Sequence, residues 1–136
     1  MTPSLQDVGL AVKRLQWRHH RESNRGLSAE AGLSLVQWDV LRHLRGRPDA
    51  SLHELAQLTF QTDQSMGELA RRMTDRGLIL RQEGPGRVVR HRLTGEGETA
   101  YLRGSAVMDG VLGASLGRLT EDELEALHAL LVKAAE

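Results

Sequence analysis

The chain has 136 residues, 40% hydrophobic and 26% charged, with no cysteine and with 18 basic side chains against 18 acidic ones. That length suits one domain around a single core, and the composition is that of an ordinary soluble protein. Disulfides and thiolate metal sites are excluded, no apolar run nears the roughly 18 residues of a membrane span, and with Asp7 and no apolar segment at the N-terminus a signal peptide is not expected. A cytoplasmic location without a membrane partner is therefore expected.

Leu5 to about Ser23 reads as an amphipathic helix, with Leu5, Val8, Val12 and Leu15 on one stripe and Trp17 beside it. A loop is expected around Gly26 to Gly32. Ser34 opens a second helix, SLVQWDVLRHL, whose Val40, Leu41 and Leu44 form the buried face and which Gly46 and Pro48 terminate.

From Ser51 to Leu93 the pattern is helix, turn, helix, hairpin. Ser51 with Glu54 makes a capping box, and Leu52, Leu55, Ala56 and Leu58 follow at helical spacing. Phe60, Gln61 and Thr62 break that pattern, and Thr62 or Asp63 caps a second helix that runs to Arg76 and stops at Gly77. Met66, Leu69, Ala70 and Met73 make its buried stripe, so Gln64, Gly67, Glu68 and Arg71 face outward. Two helices joined this closely match the helix-turn-helix, whose second helix enters the major groove of DNA. Leu78 to Leu80, the GPG turn and RVVRHRL then predict a two-stranded wing. Val89, His91 and Leu93 lie on one face of its return strand, and Val88, Arg90 and Arg92 on the other.

Charge supports a nucleic-acid surface despite the zero sum. Residues 1–70 carry eight basic and eight acidic side chains, residues 71–93 seven against two, and residues 94–136 three against eight. The positive excess falls where the motif meets phosphates. Gln64, Ser65, Glu68 and Arg71 are the candidates for probing the major groove, and Thr62, Arg72, Arg87, Arg90 and Arg92 for holding the backbone. Asp63 and Glu68 oppose them in charge, although a glutamate can accept from a cytosine amine.

Thr94 caps a further helix interrupted by Gly104, Gly110, Gly113 and Gly117, each interior glycine costing about 1 kcal/mol relative to alanine. Either a close helix contact between subunits requires them, or the helix is kinked and weak. Thr120 with Glu123 is a second capping box, and Leu124, Leu127, Leu131 and Ala134 give the last helix a narrow apolar stripe that needs a partner. With the first helix it forms the expected dimer interface.

The remaining motifs carry little. Gly95 to Ala100, GEGETA, has the letters of a dinucleotide fingerprint, but no parallel strand follows it. Of six histidines the densest group is His19, His20 and Glu22; adjacent helical residues point about 100 degrees apart, so no metal site is expected. His43 and His53 stand alone. There is no nucleophile elbow, zinc-protease motif or phosphate loop, and neither an enzyme nor a cofactor is expected.

The order of these elements, carried by LSLVQWDVLRHL, SLHELAQL, RMTDRGLILR and the RHRLTGEG that follows the wing, resembles the MarR family of bacterial transcription factors over nearly the whole chain. The resemblance implies a mainly α fold with a small β-wing, a single domain over residues 1–136. The winged helix-turn-helix lobe spans 34–93, with the helix-turn-helix at 51–77 and the wing at 78–93, and dimerisation helices span 1–25 and 94–136. It also implies a homodimer on a pseudo-palindromic double-stranded operator, repression of neighbouring genes, and relief by a small aromatic or anionic effector. Trp17, His20, Arg21 and Trp38 are the candidate effector contacts. One departure stands out: the family's Asp-Arg-Arg wing run reads Pro85, Gly86, Arg87 here, without the aspartate that braces the wing arginine. A winged-helix module for protein contact, with weakened DNA reading, is the alternative.

Overall fold

A computed structural model describes residues 1–86 and 89–136. The elements in order are α1 (Leu5–Ala31), α2 (Leu35–Gly46), α3 (Leu52–Leu58), α4 (Asp63–Asp75), β1 (Ile79–Glu83), β2 (Val89–Leu93), α5 (Gly95–Ser115) and α6 (Glu121–Ala135), with a short 3-10 turn at Leu116–Arg118. Four helices open on a reciprocal box in which a hydroxyl accepts from the backbone three residues on, while that residue's side chain accepts from the cap: Ser4 with Asp7, Ser34 with Gln37, Ser51 with Glu54 and Thr120 with Glu123. Each box satisfies two amides that the first helical turn leaves free.

The expected loop over Gly26 to Gly32 is helix instead, since α1 continues unbroken to Ala31 and ends on Gly32 in the left-handed region at φ 65°. Packing overrides the propensity of Gly26. Leu27 is fully buried, and a Cβ on Gly26 would come within 2.7 Å of Val107 on α5, so the glycine is where these two helices meet. Gly104 serves the same purpose from the α5 side. A side chain there would overlap the Trp38 ring and approach Leu27 at 3.1 Å. The close approach is therefore made within the chain, whereas Gly110 and Gly113 face open space.

The core lies between α2, α3, α4 and β1, closed by Leu27 of α1 and Met108 of α5. Leu41, Leu44, Leu55, Met66, Met73 and Ile79 are almost fully enclosed in it. Burying such side chains contributes about 1.5–3 kcal/mol each, which holds α4 against the lobe. β1 and β2 are antiparallel, with Ile79 opposite Leu93, Arg81 opposite His91 and Glu83 opposite Val89.

The two ends of the chain are different. α6 buries none of its residues, and Leu5, Val8, Val12, Leu124, Leu130 and Leu131 are all exposed. Between α1 and α6 lies an open groove of about 710 Å³ lined by Val8, Val12, Leu15, Leu124, Leu127 and Leu131. Among the described residues, no helix is long and apolar enough to cross a membrane.

Candidate nucleic-acid interface

α4 presents its polar face because its apolar positions recur at the helical period. Met66, Leu69, Ala70 and Met73 are buried, while Gln64, Ser65, Glu68, Arg71 and Arg72 are exposed. Thr62 is the cap, its hydroxyl accepting from the Ser65 amide at 3.0 Å. Asp63, the other capping candidate, is the first helical residue. The structure thus gathers Thr62, Gln64, Ser65, Glu68, Arg71 and Arg72 onto one exposed helix and its start.

The turn before α4 is tight and strained. Phe60 adopts φ 58°, the only non-glycine residue among those described in the left-handed region, and 94% of it is exposed. The Gln61 amide closes the turn onto the Ala56 carbonyl at 2.8 Å.

Both ends of α4 are tied to the rest of the lobe. At its C-terminal end the Arg76 guanidinium donates to the Gly32 carbonyl at 2.8 Å and to Gln37 Oε1 at 3.3 Å, fixing it to the corner between α1 and α2. Beyond Gly77, which has φ 76°, the wing is held by Thr94. Its hydroxyl donates to the Gly77 carbonyl and accepts from the Gly97 amide, while its own amide donates to the Leu78 carbonyl at 3.1 Å. Gly97 allows this corner to close, because a Cβ there would overlap the Leu78 carbonyl oxygen. That is the physical content of the LTGEG stretch.

Arg90 and Arg92 share a face of β2. Arg92 is exposed, and Arg90 is half-buried beside Glu54. Arg87 lies outside the described residues. Two hydrogen bonds from Ser51, backbone and hydroxyl, hold the Glu54 carboxyl below its ordinary range, with Arg90 and Arg47 adding to the effect. A cavity of about 390 Å³ separates α4 from the wing, lined among others by Arg71, Thr74, Asp75, Arg81 and His91. Burial, with Arg81 adding to it, pushes the His91 imidazole down from 6.5.

Two connections have no local signature in the sequence. His53 does not stand alone: its Nδ1 donates to Asp63 Oδ1 at 2.8 Å, joining the first turns of α3 and α4. The residues are ten apart, and no local spacing rule links them. Arg76 is the other, since it looks like one more surface arginine until α1 is seen to pass beneath it.

The four effector candidates separate. Trp17 is 59% exposed and stacks on His20 with ring centres 5.9 Å apart, and Arg21 is exposed beside them on α1. Trp38 is core, only 7% exposed. Its indole N–H donates to the Tyr101 carbonyl at 3.2 Å, and its ring lies parallel to that of Tyr101, with Arg42 also over it. Among the described residues, no group of three or more His, Cys, Asp or Glu side chains is placed to hold a metal ion.

Residues 31–87 match the sequence profile of the MarR family. The transcriptional regulator HosA of Escherichia coli O111:H- is 30% identical over 103 residues, covering 74% of this chain and 76% of HosA. The MarR family protein Rv2887 of Mycobacterium tuberculosis, solved in complex with p-aminosalicylic acid, superposes with a TM-score of 0.77 at 28% identity, covering 98% of this chain and 100% of that one. The same protein in complex with DNA gives 0.76 at 26% identity, covering 99% and 100%.

Proposed function

The chain belongs to the MarR family, and we propose that it is a cytoplasmic homodimeric transcriptional regulator that represses genes near its own and lets go of its operator when a small aromatic or anionic ligand binds. The observation that carries this reading is the exposed polar face of α4, seated on its buried stripe and braced at its end by Arg76 on Gly32. A rigid helix with Gln64, Ser65, Glu68 and Arg71 outward can lie in a major groove, while Thr62, Arg72, Arg87, Arg90 and Arg92 take the phosphates. A relative of the same fold has been solved both with DNA and with an aromatic acid, which supports both partners.

Residues 34–93 act as the reading lobe in this proposal, with 1–25 and 94–136 pairing two copies. The exposed leucines and valines of α1 and α6 supply the apolar surface for that pairing. Two α4 helices then enter successive major grooves about one turn of DNA apart. The effector acts by preferring a spacing of the lobes that the duplex cannot accept. Trp17, His20 and Arg21 offer it an exposed aromatic and cationic surface on α1, whereas Trp38 acts through the packing of α2 on α5. No catalytic step belongs to the proposal.

A gel-shift titration with duplex DNA from around the chain's own gene tests it. Salt-sensitive, saturable retardation that a salicylate-type acid reverses is the expected result; retention of a protein partner with no duplex binding at low salt would replace it with the protein-contact module.

A further inference from the structure

The hydrogen bond between His53 and Asp63 has a bearing on DNA that neither residue has alone. Asp63 is the first residue of α4, at the end of the helix whose N-terminal residues meet the bases in a helix-turn-helix. The His53 side chain is 2.8 Å from it, and in a docked helix-turn-helix that position would fall where the sugar-phosphate backbone borders the groove. Both side chains are well exposed, so neither serves the core.

The chemistry of the pair fixes the proton. A carboxylate only accepts, so Nδ1 of His53 carries the hydrogen in the bond to Asp63 Oδ1. Nε2 is the nitrogen left to gain a proton, and it has no hydrogen-bond partner among the described residues. With a neutral imidazole the pair brings one negative charge to the groove edge. With an imidazolium the pair is neutral and Nε2–H is a charged donor that a phosphate oxygen can accept. Among the described residues, the charged group next to His53 on α3 is Glu54, turned back onto Ser51, and Arg47 and Arg90 flank Glu54 from the connection before α3 and from β2. The Glu54 carboxyl, held below its ordinary range, keeps its charge under mild acidification.

We propose that His53, oriented by Asp63, is a proton-dependent contact to the DNA backbone, so that binding duplex takes up a proton at Nε2. The inference rests on the DNA-binding reading above, and makes Asp63 the positioning residue for a phosphate contact rather than only a repulsive charge.

The test uses the full-length chain and a short duplex recovered by selection from a random pool, with affinity measured by fluorescence anisotropy at pH 8 and pH 6 across a salt series. For the unaltered protein, binding should tighten roughly fivefold at pH 6, as befits one exposed ion pair. The slope of log affinity on log salt should steepen by up to about 0.9. H53Q keeps an amide donor for Asp63 but cannot titrate, and should lose that step while binding at pH 8 much as the unaltered protein does. D63N should bind more tightly at pH 8, because a carboxylate has left the groove edge. Retention of the full pH step by H53Q, or identical salt slopes at both pH values, would overturn the inference while leaving the DNA-binding reading standing. Absence of duplex binding at both pH values at low salt would overturn that reading and this inference with it. The variants' thermal midpoints should match that of the unaltered chain, since the pair is exposed.

Discussion

Gly97 and Leu78 approach so closely that no side chain fits between them: a Cβ on Gly97 would overlap the Leu78 carbonyl oxygen. The start of α5 is thereby pressed onto the exit of α4, and the wing springs from this junction. The recognition helix, the wing and the long helix that leads toward the terminal face share one rigid corner.

Gly97→Ala forces that corner open and is expected to cost about 1–3 kcal/mol, because the obstacle is backbone rather than a side chain that can swing away. Gly95→Ala, two residues earlier and facing open space, should leave stability almost unchanged. Urea denaturation of the two variants side by side checks the contrast.

Phe60 sits at φ 58° with its ring in solvent, so its side chain gains little from the fold while its Cβ strains the backbone. Phe60→Gly should raise stability by about 1 kcal/mol by removing that strain. A fall in the urea midpoint would mean that the phenyl ring has a partner in solution.

Arg71→Ala and Arg72→Ala remove exposed cations from α4. Each should weaken duplex binding and lower the salt slope by about 1 if it meets a phosphate, with no change in thermal midpoint. Arg71 acting on a base would instead relax preference at one operator position, which a binding-site selection would reveal.

His91 is 6% exposed, and burial together with Arg81 holds its imidazole below 6.5. On acidification the unfolded chain takes up that proton before the folded chain does. Stability from the neutral ring is fully present above about pH 6.5 and declines as pH falls toward the lower folded value. His43, also pushed down chiefly by burial, works in the same direction, so the comparison must be made against His91→Leu. That variant should lose less stability than the parent between pH 7.5 and pH 5.5 in urea titrations, by about 1 kcal/mol or less.

Leu131→Glu places a charge on the apolar groove between α1 and α6. Sedimentation should show the dimer replaced by monomer, and affinity for a two-half-site duplex should drop about a hundredfold or more as the second lobe is no longer tethered. The melting of the reading lobe should hardly change, because α6 buries none of its residues.

By itself the sequence determined whatever acts within about one helical turn. The boxes at Ser51 with Glu54 and Thr120 with Glu123, the Met66, Leu69, Ala70, Met73 stripe, the turn before α4 and the hairpin were all legible, because caps, periodicity and turn chemistry are satisfied by residues three or four apart. The exposed face of α4 follows from that stripe, so most of the candidate DNA contacts could be named from it. Tertiary structure alone decided the remainder, because contacts remote in sequence outweigh local preference. The meeting of α1 and α5 carries α1 through Gly26, the space claimed by Trp38 explains Gly104, the carbonyl of Gly32 explains Arg76, and a turn that folds back on itself joins His53 to Asp63. None of these pairings has a fixed spacing, since each depends on where two helices cross, and that is set by the packing of the whole core.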